Sequence, residues 1–235
     1  MKLIRSLFFY LTAVLGFFIG TALTILIALP ARPERKLKIF QDSALIWSRL
    51  LAFISGVPVK VQGLEHLKKD EPVVIVSNHL GAADILILLA YLPVYFRFII
   101  KKELFKIPFF GWYLKKAGYI SVDRGAGEKA HKMFSQAEEA LRSGDSILIF
   151  PEGTRSRDGK LQPFKRGSLL LAFKAKVRVV PVAISGSFHI LPAKSIFYNI
   201  VPVSLKIGKP ISLEKYGTAY EKALEDIHGV IQQML

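Results

Sequence analysis

His79 and Asp84 are a base and an acid in the run Asn78-His79-Leu80-Gly81-Ala82-Ala83-Asp84. On an uninterrupted helix that spacing leaves the two side chains about 140° apart, on different faces. If His79 lies in a loop and Asp84 in the first turn of the next helix, the chain folds back and the pair can meet. Asp84 would then accept from one imidazole nitrogen, fix the tautomer and leave the other nitrogen as a general base. An acid in that place also suits the positive end of the helix dipole. Taken alone, the same residues equally describe a polar strand end followed by an ordinary N-terminal acid.

A second cluster is Phe150-Pro151-Glu152-Gly153-Thr154-Arg155-Ser156. Gly153 allows close backbone approach, Thr154 offers a hydroxyl and an amide, and Arg155 offers a donor fork matched to phosphate oxygens. Arg157, Lys160, Lys165 and Arg166 extend the positive field. A solvated basic loop would have the same composition. The sequence contains no Walker phosphate loop and no Gly-x-Ser-x-Gly elbow. With no cysteine, thiolate chemistry and disulfides are excluded. The histidines at 66, 79, 131, 189 and 228 show no recognisable metal-ligand spacing, and nothing in the sequence calls for a metal.

These residues must be positioned by the elements around them. After Gly56 the pattern turns to short β-branched runs separated by helical stretches. Strands are expected at 57–61, 73–77, 97–100, 119–122, 146–150, 178–184 and 203–207, and helices at 82–91, 109–116, 127–143, 165–175 and 218–234. That alternation predicts an α/β fold with a mixed, largely parallel sheet flanked by helices. Ligands then gather beyond the carboxyl ends of strands. Asn78-His79, Asp123-Arg124, the 150–156 cluster and Ser185-Gly186-Ser187 all fall at such ends, which suggests one cleft.

The N-terminus differs in kind. From Leu7 to Leu29 there is no charge in 23 positions, and 14 of them are Leu, Ile, Val or Phe. As a helix this stretch is about 35 Å long, enough for a hydrocarbon core of about 30 Å. Pro30 and Pro33 mark a turn, and Leu37–Ile54 reads as an amphipathic helix. Residues 1–56 are therefore expected to form a two-helix membrane anchor dipping into one leaflet, with one spanning helix followed by a core helix as the alternative, and residues 57–235 a single catalytic domain. The formal charge of +15 favours an anionic lipid surface or another anionic partner. A mean hydropathy of +0.36 and the absence of any nucleic-acid motif argue against a nucleic-acid binder.

Together the motifs resemble the 1-acylglycerol-3-phosphate acyltransferase family. The resemblance covers about Val57 to Gly208. It rests on Asn78-His79 through Asp84; on Lys101-Lys102-Glu103-Leu104, Pro108, Gly111-Trp112 and Gly118 through Arg124; on Phe150 through Ser156; and on Val180-Pro181-Val182-Ala183. Gly81 departs from the family, which often has serine there. The resemblance implies direct acyl transfer from acyl-acyl carrier protein or acyl-CoA to the sn-2 hydroxyl of lysophosphatidic acid, with no bound cofactor or metal required. His79 would be the base, oriented by Asp84, and Arg124, Arg155, Lys101 and Lys102 would hold phosphate. Asn78, Glu152, Gly153 and Thr154 would complete the motifs. It further implies an inner membrane or its equivalent, with the catalytic domain on the cytoplasmic face. Acylation of another lysophospholipid or of glycerol-3-phosphate, or a non-catalytic membrane-binding role, are the alternative expectations.

Overall fold

The computed structural model of the protein describes residues 2–122, 128–192 and 195–235. Two long helices come first, α1 (Lys2–Ala28) and α2 (Pro33–Ser55). Pro33 takes the first helical position of α2, where its missing N–H costs nothing. That is why α2 begins four residues before the amphipathic pattern at Leu37. Gly56 ends it in the left-handed conformation (φ 65°), donating its N–H to the Phe53 carbonyl.

The strands are β1 (Val59–Gln62), β2 (Val74–Ser77), β3 (Phe96–Lys101), β4 (Ile120–Val122), β5 (Ser146–Ile149), β6 (Val179–Ser185) and β7 (Val203–Ile207). Between them lie α3 (Ala83–Tyr91), α4 (Phe110–Lys116), α5 (Glu128–Arg142), α6 (Leu170–Ala175) and α7 (Tyr220–Met234). The sheet order is β1-β7-β6-β2-β5-β3-β4, with β6–β7 antiparallel and the other pairs parallel. The sheet is thus mixed and largely parallel, as the alternation of elements predicts.

β2 is central, and all its residues are buried, as a strand covered by helices on both faces must be. Pleating sends Ile75 to one face, with Phe40 and Ala44 of α2, Leu88 of α3 and Leu114 of α4. Val74 and Val76 go to the other, with Ala137 of α5, Leu171 of α6 and Ile227 of α7. Each such buried aliphatic side chain contributes about 1.5–3 kcal/mol. α2 is therefore part of the core that supports the sheet.

The strand expectations hold to within a residue or two. Only α6 is markedly shorter than expected, Leu170–Ala175 against 165–175. The Lys165 amide donates to the Pro151 carbonyl at 2.9 Å, so this stretch braces the 150–156 loop before the helix can start. α1 lies along the domain and is fastened at intervals. The Ser6 hydroxyl accepts from the Tyr198 amide, Phe9 packs on Tyr198, Phe17 meets Phe110 and Tyr113, and Thr24 donates to Ser43. Its outer face, including Leu7, Phe8, Leu11, Phe18, Leu23 and Leu26, is exposed. By length and composition α1 could cross a membrane.

Candidate active site

β2 delivers Asn78 and His79 to the carboxyl edge of the sheet, between β6 and β5. Asn78 is fully buried and tied to β6 in both directions. Its amide donates to the Ile184 carbonyl at 2.9 Å, and its side-chain oxygen accepts from the Ile184 N–H at 2.8 Å. Asn78 thus clamps the strand end from which His79 projects.

His79 and Asp84 meet, because His79 lies in the loop and Asp84 in the first turn of α3. The imidazole Nδ1 is 2.8 Å from Asp84 Oδ2. The same oxygen accepts the backbone N–H groups of Leu80 (2.7 Å) and Gly81 (2.8 Å), while Oδ1 accepts the Ser187 hydroxyl at 2.5 Å. Asp84 is wholly buried, so its charge depends on these donors. An ionised carboxylate only accepts, so the proton of this bond sits on Nδ1, and in the neutral imidazole Nε2 carries the lone pair. The imidazole lies flat on the Phe150 ring, with centroids 3.9 Å apart and planes 13° apart, and its side chain is 14% exposed. One hydrogen bond and one stacking face together fix the ring in both tilt and rotation.

Glu152 braces the backbone of the same residue. It is 3% exposed and accepts the His79 N–H at 2.8 Å and the Gln162 N–H at 3.2 Å. Burial pushes its carboxyl up from 4.5 to about 7. The two backbone donors work against that shift, and the Asp84 charge adds to it. Glu152 therefore acts as a brace with a fixed backbone partner. The His79 carbonyl in turn accepts the Ser156 N–H at 2.8 Å, so the 150–156 loop grips His79 from both sides of its peptide.

Gly153 is favoured by its backbone, with φ at 70°, where a residue with a Cβ is strained. Its N–H donates to the Phe150 carbonyl at 2.9 Å and is engaged in holding the turn. Thr154 and Arg155 are exposed at the loop's outer edge, next to the buried Ser156. Lys101 ends β3, and Lys102 opens a 3-10 turn beyond it, both exposed. β3 lies two strands from β2, which puts these lysines about 10 Å to one side of His79. Lys101 stands 3.7 Å from Glu103. Arg124 lies outside the described residues.

Three contributors were invisible as such in the sequence. Ser187, Phe150 and Glu152 were present as strand-end residues, but their partners depend on β6 and β5 flanking β2. Phe150 and Glu152 were legible as members of the 150–156 motif, and Ser187 by its position at the end of a strand.

A family model described as Acyltransferase matches residues 58–185. The chain is 35% identical over 193 residues to a chloroplastic 1-acyl-sn-glycerol-3-phosphate acyltransferase of Brassica napus, covering 80% of this chain and 55% of that one. It is 30% identical over 187 residues to the 1-acyl-sn-glycerol-3-phosphate acyltransferase of Borreliella burgdorferi, covering 80% and 74%. The crystal structure of PlsC, the 1-acyl-sn-glycerophosphate acyltransferase of Thermotoga maritima, superposes with a TM-score of 0.86 and 28% identity, covering 99% and 93%. The chain spans 47% to 65% of the length of three plant relatives it matches. It belongs to the PlsC acyltransferase family, that of the 1-acylglycerol-3-phosphate O-acyltransferases.

Proposed function

We propose that the protein transfers a fatty acyl group from acyl-acyl carrier protein or acyl-CoA to the sn-2 hydroxyl of lysophosphatidic acid. The observation that carries this reading is the saturated Asp84 carboxylate, which holds Nδ1 of His79 and leaves Nε2 as the available base. Nε2 takes the acceptor's hydroxyl proton as that oxygen attacks the thioester carbonyl carbon. The carbon–sulfur bond breaks, and the imidazolium returns the proton to the departing thiolate. No covalent enzyme intermediate is required.

Arg155 and Arg124 hold the acceptor's phosphate, with Lys101 and Lys102 extending the positive rim. The relatives named for this acceptor support that assignment. So does the location of Arg155 one residue from Ser156, which contacts the His79 carbonyl.

α1 is fastened to the domain along one side from Ser6 to Thr24, and its opposite face is apolar and exposed. A helix held in this way cannot be surrounded by lipid while its domain stays in water. That supports an anchor lying in one leaflet, with residues 1–56 as the membrane-facing unit and α2 shared with the core. The catalytic domain then works on the cytoplasmic face of an inner membrane or its equivalent, where soluble donors are available.

The test is purified protein in vesicles with labelled lysophosphatidic acid and either donor. Phosphatidic acid is the expected product. Arg155→Ala should raise the apparent KM for the phosphorylated acceptor about tenfold or more, since a charge-assisted contact contributes roughly 1.5–3 kcal/mol. Lysine at that position should restore part of the loss. Turnover of an unphosphorylated lysolipid at an equal rate would remove the phosphate from the account.

A further inference from the structure

In the segment from Leu104 to Trp112, Phe105 and Phe110 pack against the core and the Trp112 ring meets buried Phe40 edge-on, but other apolar side chains turn outward. The segment joins β3 to α4 and leaves the sheet at the carboxyl end of β3, the end that also carries His79. Here Phe109 is 70% exposed, Ile107 46%, Trp112 40% and Leu104 38%. Four exposed apolar side chains within nine residues are candidates for an interaction surface.

The backbone holds this apolar tip in a fixed shape. Phe109 has φ 58°, in the left-handed region that bulky residues seldom enter. The Gly111 N–H donates to the Ile107 carbonyl at 2.7 Å, and the Tyr113 N–H donates to Phe109 at 2.9 Å. A Cβ at Gly111 would stand 2.1 Å from the Phe105 carbonyl oxygen, so only glycine lets the segment fold back this tightly. The family motif residue Gly111 thereby acquires a physical role: it closes the turn that pushes Ile107 and Phe109 outward.

Positive charge flanks the tip along the chain. Lys101, Lys102, Lys106, Lys115 and Lys116 are exposed, and Glu103 is the one acid between positions 101 and 116, a local balance of +4 (5 minus 1). Lys116 Nζ lies 5.9 Å from the Trp112 ring. On its other side the tip continues into α1: the Phe109 ring is 6.2 Å from that of Phe18, itself on the exposed apolar face.

We propose that the Leu104–Trp112 segment is a second membrane-contact element, which seats its apolar tip in an anionic lipid surface while the lysines stay at headgroup level. Aliphatic and aromatic residues flanked by lysines are the composition of interfacial segments. An acidic protein would match the lysines but not the continuity with the apolar face of α1. This rests on the reading of α1 as a membrane-facing helix. It adds that the His79 end of the sheet is held against the lipid from which a lysophospholipid acceptor arrives.

Of the two tryptophans, Trp47 packs against α1 and Trp112 lies in the segment. The full-length Trp47→Phe protein therefore reports on Trp112 alone. It is mixed with vesicles of phosphatidylglycerol and phosphatidylcholine containing lipids brominated high on the acyl chain. The expected result is a blue shift of Trp112 emission and loss of its intensity to the bromine, with no response to acyl carrier protein alone. Protein that sediments with the vesicles while Trp112 stays unshifted and unquenched overturns the second contact and leaves the α1 reading intact. Protein that does not sediment overturns both. A Trp112 response to the carrier protein in place of vesicles also overturns the proposal. If Trp47→Phe does not fold, wild-type protein is compared with Trp112→Phe, and the bromine-dependent loss of intensity must diminish in the variant.

Discussion

At the scale of single residues, the site is a chain of buried restraints that ends on one free nitrogen. Asp84→Asn keeps the shape, but its amide must oppose at least one of the donors that Asp84 accepts. It should lower kcat by about two to four orders of magnitude, as wrong-tautomer variants of other His–Asp pairs do. Ser187→Ala removes one donor from a buried charge and should lower both kcat and thermal stability, with the kcat loss smaller than for Asp84→Asn. Equal kcat in wild type and Ser187→Ala would show that the hydroxyl does not position the pair. Glu152 gives a prediction in pH. Its folded-state value of about 7 lies above the ordinary 4.5, so the folded protein holds the extra proton between those values. Stability should therefore fall as pH rises through that window and level off above it. Glu152→Gln has no such titration, so the wild-type Tm measured relative to the variant should decline from about pH 4.5 to 7. Parallel Tm curves would contradict the buried-acid account.

At the scale of elements, β2 and β6 matter most, since Asn78 and Ser187 act across their pairing. The sequence made these strands legible because each is a short β-branched run, and it placed His79, Glu152 and Ser187 at strand ends. It could not show that β6 and β5 are the two neighbours of β2, because strand order depends on crossovers rather than on local pattern. Glu152 was therefore legible as a motif residue but not as the acceptor of the His79 amide. The short α6 was misjudged for a related reason: Lys165 has helix propensity, but its amide is used by Pro151 in a distant loop. The amphipathic pattern of α2 left membrane surface and core both open as the site of its apolar face, and Phe40 and Ala44 make α2 part of the core beneath the sheet. Deleting residues 1–28 should accordingly leave a folded protein whose vesicle binding is weak and reversed by salt, since exposed charges are screened within about 8–10 Å at physiological ionic strength. The intact chain should stay bound at high salt. Release of the intact protein by salt alone would contradict the anchor, as would salt-resistant binding of the shortened one equal to that of the whole.

At the scale of the molecule, three features converge: an apolar flank made by α1, a formal charge of +15, and a base at the carboxyl end of a largely parallel sheet. On the proposed function, each would serve to bring an amphiphilic acceptor and a thioester donor to one nitrogen. The apolar flank would face the lipid, and the positive field would favour phosphate-bearing or acidic donors. The most direct test is therefore made on the intact protein in anionic vesicles, with labelled lysophosphatidic acid and acyl donor supplied to wild type and to His79→Ala. The variant should stay folded and keep its vesicle binding, because the backbone of residue 79 is still held by Glu152 and Ser156, while its Tm falls with the loss of one donor to the buried Asp84 charge. Its rate of phosphatidic acid formation should fall by about two to four orders of magnitude, the contribution expected of a positioned general base. Folded, membrane-bound His79→Ala protein that turns over at near the wild-type rate would contradict the account at its centre.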